Sequence, residues 1–356
     1  MVIPEVVDLF CGVGGLTRGL SNVGLNVLAG FDIDPTCQYA YAHNNSSVYH
    51  LADIRDVTGE EIKSIYSDKS IKVLVGCAPC QPFSQLRSKL GQANLLDEKY
   101  TLLNEFGRII KETEPDIISM ENVPQLMNSN VYQQFISLLT SLGYYYDAKV
   151  VKCSDYGISQ GRRRFVLVGS KYGEISLIEP THKDQVPLVR DFISNLPELK
   201  AGEQDIHDPL HRCASMSEKN LKRIRASLPG GSWEDWPEEL RCECHKKPSG
   251  KTYKSVYGRM SWDQIGPTIT TEFYNYGTGR FGHPDQDRAL SLREGALLQT
   301  FPLDYDFVDP NSPSSFSDIA RHIGNAVPVR LGEIIGQSII THVENIMPNN
   351  RSGFFG

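Results

Sequence analysis

No run of apolar residues in this 356-residue chain is long enough to cross a bilayer. The opening MVIPEVVDLF also lacks the basic stretch that precedes a secretory signal core. Neither export nor membrane insertion is expected, and the expected compartment is the cytoplasm, beside the nucleoid in a prokaryote. Regular cysteine spacing is missing as well. The eight cysteines are scattered, which argues against a disulfide framework and for free thiols, most of them buried. There is no internal repeat. A positive net charge is absent too: the chain carries -7, which by itself disfavours a partner rich in phosphate. The deficit is uneven, however. From His207 to Met260 eleven basic residues stand against seven acidic ones, a local +4 that leaves -11 to the rest. A basic segment on an acidic body can still be a binding face.

What is present has a clear order. Over the first 170 residues short β-rich runs alternate with amphipathic stretches. Strands are expected at 6–10, 26–31, 72–76, 116–120, 145–152 and 164–169, and helices at 16–23, 37–43, 102–112 and 131–142. Strand, helix and strand at this spacing means βαβ units and an α/β fold with a mostly parallel sheet covered on both faces. After about residue 171 the pattern fails. From there to about 267 the chain is rich in Pro, Gly, Ser, Trp and charge, with a short helix expected at 221–228 and a breaker at Pro229-Gly230-Gly231. Order returns with a helix at 293–300 and a last one at 329–345. The expected division is a catalytic and cofactor-binding domain over 1–178, completed by 318–346. A smaller domain covers 179–317, and a disordered tail covers 347–356.

Four segments carry chemistry. In Asp8-Leu9-Phe10-Cys11-Gly12-Val13-Gly14-Gly15, glycines at a strand-to-helix junction let a ligand approach the backbone and leave helix N-terminal amides free. Asp32, twenty residues past Gly12 at the end of the next strand, is placed to accept ribose hydroxyls, and Asp53 to accept an exocyclic amine of adenine. This series indicates an adenosine ligand. It does not by itself separate S-adenosylmethionine from NAD, although the glycine spacing departs from that of a dinucleotide site. Second, the apolar run 73–76 delivers Cys77-Ala78-Pro79-Cys80-Gln81-Pro82-Phe83-Ser84 to a strand's C-terminal end, where open α/β sheets do chemistry. A Cys-x-x-Cys redox pair is one reading, but Pro82 and the loop-like stretch after it speak for an exposed flap. Third, Glu121-Asn122-Val123 puts a carboxylic acid at another strand end, where it can donate a proton. Fourth, in Gln160-Gly161-Arg162-Arg163-Arg164, alternation on an extended chain points Arg162 and Arg164 the same way, suited to clamp a phosphate or a base carbonyl.

These four segments, in this order, resemble the DNA (cytosine-5) methyltransferase family of restriction-modification type. Arg293-Glu294 through Gln299-Thr300-Phe301-Pro302, and Gly324-Asn325-Ala326-Val327-Pro328, resemble its last two motifs. The resemblance covers nearly the whole chain except about 180–265, where that family keeps its variable target-recognition region. It implies a Rossmann-like fold that binds S-adenosylmethionine and methylates carbon 5 of a cytosine flipped out of double-stranded DNA. It implies Cys80 as covalent nucleophile, Glu121 as the acid at ring nitrogen 3, and Arg162 and Arg164 as holding groups. The cofactor is then expected on Phe10, Cys11, Gly12, Val13, Gly15, Asp32, Ile33, Asp53, Ile54, Pro79, Asn325 and Val327.

DNA contacts are expected from Gln81, Ser84, Arg87 and Lys89 in the flap. Further contacts are expected from Lys247, Lys251, Lys254, Tyr257 and Arg259 in the basic segment, and Trp233 and Trp236 in loops suit base-edge contacts. The partners implied are double-stranded DNA and a cognate restriction endonuclease acting on the same site without a stable complex, and the protein is expected to be a monomer. The alternative substrate is transfer RNA, methylated by the same chemistry. No metal is expected: Cys242, Cys244 and His245, with His211 and Cys213, could supply ligands, but their spacing fits no standard zinc finger.

Overall fold

The computed structural model describes residues 3–79, 96–247, 254–312 and 314–347, and in the helix that opens at Leu96 it describes side chains from residue 102. The chain forms two units, one of residues 1–152, 163–180 and 327–356, the other of residues 153–162 and 181–326.

The first unit is built on a seven-stranded sheet: β1 (Glu5–Leu9), β2 (Asn26–Asp32), β3 (Val48–Leu51), β4 (Lys72–Gly76), β5 (Ile117–Asn122), β6 (Tyr145–Lys152) and β7 (Arg163–Ser170). Their order across the sheet is β3-β2-β1-β4-β5-β7-β6. The first five pair in parallel, while β7 runs antiparallel between β5 and β6, so the sheet is mixed but mostly parallel, as the alternation of elements predicts. Central strands of such a sheet are covered on both faces. Accordingly β5, IISMEN, is buried at every position, polar residues included.

Helices α1 (Gly15–Asn22), α2 (Gln38–Asn44), α3 (Gly59–Lys63), α4 (Leu96–Thr113) and α5 (Asn130–Ser141) follow strands or their loops. Phe31, Leu74, Phe106, Ile118, Phe135 and Phe165 form much of one core layer. The C-terminal helix, α11 (Val329–Ile346), lies on α1 at a glycine contact. A Cβ on Gly19 would stand 2.2 Å from the Val329 carbonyl and 2.7 Å from Cα of Gly332. That closeness brings the end of the chain back to the helix following β1.

The second unit has little regular structure, as the loss of periodicity predicts. It holds short helices α6 (Arg190–Ile193), α7 (Glu218–Ala226), α8 (Glu243–Lys246), α9 (Leu292–Leu298) and α10 (Phe316–Asn325). Polar clasps organise it. Ser291 and Glu294 cap α9 reciprocally. Glu294 also takes Arg288 in two bonds of 2.7 Å with both side chains buried. Despite burial, that charge holds the Glu294 carboxyl down at about 2.

Trp233 and Trp236 are not loop residues open to a groove. They are 4% and 2% exposed and pack with Ile224, Tyr276 and Ala289. Trp236 donates its indole N–H to Ser227 at 2.7 Å. Large aromatic surfaces contribute much apolar burial to a loop-rich unit, and that keeps them inside.

Candidate active site

β1 and β4 are neighbours whose onward connections diverge, so a crevice opens at their C-terminal ends, the usual ligand position in an open α/β sheet. The glycine turn sits there. Phe10, Gly12 and Gly14 have φ of 61°, 51° and 84°, left-handed values that glycine adopts without strain and phenylalanine does not. The turn is held by the Cys11 amide on the Phe31 carbonyl (3.1 Å) and the Gly14 amide on the Cys11 carbonyl (2.9 Å). A Cβ built on Gly12 would meet nothing within 4 Å, so the backbone there borders open space.

Asp32 ends β2 and Asp53 follows β3, its parallel neighbour, on this same edge. Asp32 accepts the Gly12 amide on Oδ2 (2.8 Å) and the Asp34 amide on Oδ1 (2.9 Å), and each oxygen keeps a further lone pair. Burial pushes its carboxyl up. Asp53 is gripped by Arg55, with Nε at 2.9 Å from Oδ1, which with its charge lowers the carboxyl. Beside Asp32 the side chain of Ile33 is 61% exposed, an apolar surface next to a carboxylate. Cys11, Val13, Gly15, Ile54 and Val327 are buried supports, while Pro79 and Asn325 are exposed, Asn325 as the last residue of α10 in the second unit.

Asp8 lies beneath the turn, 1% exposed. It accepts the Thr17 hydroxyl on Oδ2 (2.7 Å), and Oδ1 has no hydrogen-bond partner among the described residues. Burial, with the negative charge of Asp32 nearby, raises its carboxyl to about 7. The sequence names this residue only as the start of the motif. Its signal is a carboxylate inside an otherwise apolar strand.

One strand further, the end of β5 meets the end of β4. Glu121 is 2% exposed, with Arg164 Nε 2.7 Å from Oε1 and the Cys77 thiol donating to Oε2 at 2.7 Å. Asn122 donates its side-chain amide to the Ala78 carbonyl (3.1 Å), tying β5 to the segment that leads to residue 80. Arg164 reaches Glu121 because β7 lies directly beside β5, with Phe165 opposite Asn122.

Cys80, Gln81, Ser84, Arg87, Lys89 and Lys251 lie outside the described residues. Of the two arginines expected to point together, only Arg164 meets Glu121. Arg162 is 3% exposed in the second unit and donates to the carbonyls of Ile269 (3.2 Å) and Ala326 (3.4 Å). Gln160 joins the same clasp, donating to the Leu298 carbonyl (2.7 Å) and Gln299 Oε1 (2.8 Å) and accepting the Ile269 amide (3.0 Å). Gln299 in turn donates to the Ile323 carbonyl (2.8 Å). The segments around 160, 299 and 324 are therefore one hydrogen-bonded cluster.

In the basic segment Lys247 and Lys254 are exposed, Lys254 near Glu234 at 3.3 Å. Tyr257 packs edge-on against Trp236, and Arg259, 8% exposed, pairs with Asp287 at 2.8 Å. The seven described cysteines are all free.

The model of the C-5 cytosine-specific DNA methylase family matches residues 5–341. The chain is 50% identical to the type II methylase M.HgiDII of Herpetosiphon aurantiacus over 354 residues, covering 98% of this chain and 99% of that protein. It is 31% identical to the type II methyltransferase M1.BsuMI of Bacillus subtilis, covering 93% and 79%. A solved putative DNA modification methyltransferase encoded within an Escherichia coli prophage superposes with a TM-score of 0.72 at 22% identity, covering 96% and 99%. The Schizosaccharomyces pombe Dnmt2 methyltransferase does so with 0.66 at 15%, covering 96% and 98%. At those identities the structures speak to fold alone.

Proposed function

Because this chain belongs to the C-5 cytosine-specific DNA methylase family, it is a DNA cytosine-5 methyltransferase, and we propose that Cys80, Glu121 and Arg164 carry the transfer with S-adenosylmethionine as methyl donor. The observation that carries the assignment is the buried Glu121 carboxylate, held on both oxygens at the edge where β4 runs on toward residue 80.

Carbon 5 of cytosine is a weak nucleophile. The thiolate of Cys80 adds to carbon 6, while Glu121 hydrogen-bonds or protonates ring nitrogen 3 so that negative charge does not accumulate on the base. Arg164 fixes the Glu121 side chain through Oε1. Arg162 braces the segment before β7 from within the second unit. After transfer, a base removes the proton on carbon 5 and Cys80 departs.

The residues present fit the cofactor. The turn at Gly12 borders open space, Asp32 keeps acceptor capacity for ribose hydroxyls, and Ile33 offers an apolar surface for adenine. S-adenosylmethionine bound there supplies an electrophilic methyl group. Phe10, Cys11, Gly12, Val13, Gly15, Ile54 and Pro79 shape that pocket in this reading, with Asp53 on the adenine amine and Val327 contributing from the last motif.

Target choice falls to about 180–265, supported by its positive excess and by the exposed Lys247 and Lys254. The type II naming of M.HgiDII is the support for a cognate restriction endonuclease; that this partner acts on the same DNA site without a stable complex, and that the enzyme is a cytoplasmic monomer, are part of the same proposal. No helix among the described residues is long and apolar enough to cross a membrane.

Bisulfite sequencing of DNA and of transfer RNA from cells expressing the chain tests the whole assignment. Full conversion resistance at one short DNA sequence, lost in Cys80→Ala, is expected. Resistance confined to transfer RNA would overturn the DNA substrate, and methylation by Cys80→Ala would remove the nucleophile.

A further inference from the structure

Five histidine and cysteine side chains stand from 211 to 245, and the fold sorts them. His211 is fully buried, with one ring nitrogen 2.9 Å from Ser291 Oγ and the other 2.8 Å from the Pro197 carbonyl. The Cys213 thiol donates to the Lys200 carbonyl at 3.1 Å. Cys242, Cys244 and His245 are brought together: two sulfurs and a ring nitrogen lie within 4.8 Å of one another. In a tetrahedral thiolate–imidazole site, metal–ligand bonds of about 2.0–2.3 Å put the ligand atoms roughly 3.5–3.8 Å apart, so about an ångström of side-chain movement closes this one.

Three further features suit a metal. His245 is only 5% exposed, yet its Nδ1 is buried with no hydrogen-bond partner among the described residues. A buried imidazole nitrogen left unsatisfied is costly, and a cation would satisfy it. Arg223 donates to the Cys242 sulfur at 3.0 Å, the kind of outer hydrogen bond that steadies a ligating thiolate. Finally, α8 is four residues long, too short to persist on its own hydrogen bonds, and these ligands lie at its N-cap and within it.

We propose that Cys242, Cys244 and His245 bind one divalent cation of zinc type through two thiolates and one imidazole, with the fourth position left to solvent on the exposed Cys244 side. Each thiol releases its proton to solvent on binding. The two thiolates neutralise the dication, so Arg223 faces a site of no net charge. The cation holds α8 so that His245 stays stacked on Trp233, whose ring lies 4.3 Å away at 20°. Its role is to order part of the second unit, apart from the methyl-transfer chemistry.

Cobalt(II) titrated into reduced, metal-free protein reads the site directly, independently of activity. One equivalent should bind with a thiolate-to-cobalt charge-transfer band that zinc(II) abolishes on displacement. Cys244→Ser, at an exposed position, and His245→Gln should each weaken binding at least tenfold and lose or shift the band. Cys80→Ala should keep it. Zinc should raise the melting temperature of the wild type and not that of Cys244→Ser, with circular dichroism confirming that both are folded. Absence of the band in wild type, or a band unchanged in both Cys244→Ser and His245→Gln, overturns the proposal.

Discussion

The thiol of Cys77 donates to Oε2 of Glu121 at 2.7 Å while Arg164 pairs with Oε1, so both oxygens of the carboxylate are held from opposite sides of β5. Register makes this possible. Gly76 lies opposite Met120 in the parallel β4–β5 pair, which sets residues 77 and 121 side by side at the strand ends. Losing the thiol frees one oxygen. Cys77→Ala should lower kcat roughly fivefold, about 1 kcal/mol for one hydrogen bond, with little change in KM for DNA. Cys77→Ser, which still donates, should recover most of it. Steady-state kinetics on a duplex substrate decide. Equal activity in wild type and Cys77→Ala would mean that Arg164 alone positions the acid.

The Asp53–Arg55 pair is short but exposed on the arginine side, and such pairs add little stability. Asp53→Ala should therefore leave the fold intact and weaken S-adenosylmethionine by about 1–3 kcal/mol, the loss that follows a missing hydrogen-bond partner. DNA affinity measured without cofactor should hardly move. Calorimetry returning an unchanged cofactor Kd would take Asp53 out of the pocket, and NAD binding in its place would change the ligand.

Asp8 is protonated in the folded protein up to about pH 7, whereas an unfolded aspartate ionises near its ordinary value. Between those limits the folded state binds more protons than the unfolded one. The contribution of Asp8 is thus complete at low pH and lost as pH rises toward 7. His283 acts in the opposite sense: burial lowers its imidazole to about 4, so its contribution falls as pH drops. Comparison with Asp8→Asn, which mimics the neutral acid and can still accept from Thr17, isolates the first effect. Denaturant unfolding from pH 4 to 7.5 should show wild type losing stability relative to Asp8→Asn as pH increases. A difference independent of pH would place the Asp8 ionisation outside this range.

Breaking the buried Arg288–Glu294 pair from one side leaves a guanidinium without its countercharge in a dry site. Glu294→Gln should cost about 3–5 kcal/mol. Arg288→Met with Glu294→Leu, which removes both charges, should cost less than Glu294→Gln alone. Urea melts of the three proteins measure this, and a double variant weaker than Glu294→Gln would show that the pair's hydrogen bonds outweigh its desolvation.

Local pattern was enough for much of the first unit. The apolar runs that become β1, β4 and β5 are legible because a strand buried on both faces needs apolar residues at nearly every position. The glycine turn is legible because few other residues accept its backbone angles. The placement of Glu121 near the end of β5 follows from those runs, and that of Asp32 from the run that becomes β2. In the second unit α7 stands near the expected 221–228, but α10 (Phe316–Asn325), whose start is marked only by the Ser315 cap, was not anticipated as a separate helix.

The sequence by itself determined much of the strand–helix order of the first unit and, through the combination of its motifs, the family. Only the tertiary structure decided which motifs meet. β7 inserts antiparallel beside β5, and this gives Arg164 to Glu121, while Arg162, two residues earlier, is committed to carbonyls at 269 and 326. It decided that Trp233 and Trp236 are core, and that Cys242, Cys244 and His245 converge while His211 and Cys213 do not. The physical reason is range. Strand and turn propensities depend on neighbours a few residues away, which the sequence displays. Strand pairing and burial depend on the free energy of contacts between residues tens to hundreds of positions apart, and no local pattern encodes those.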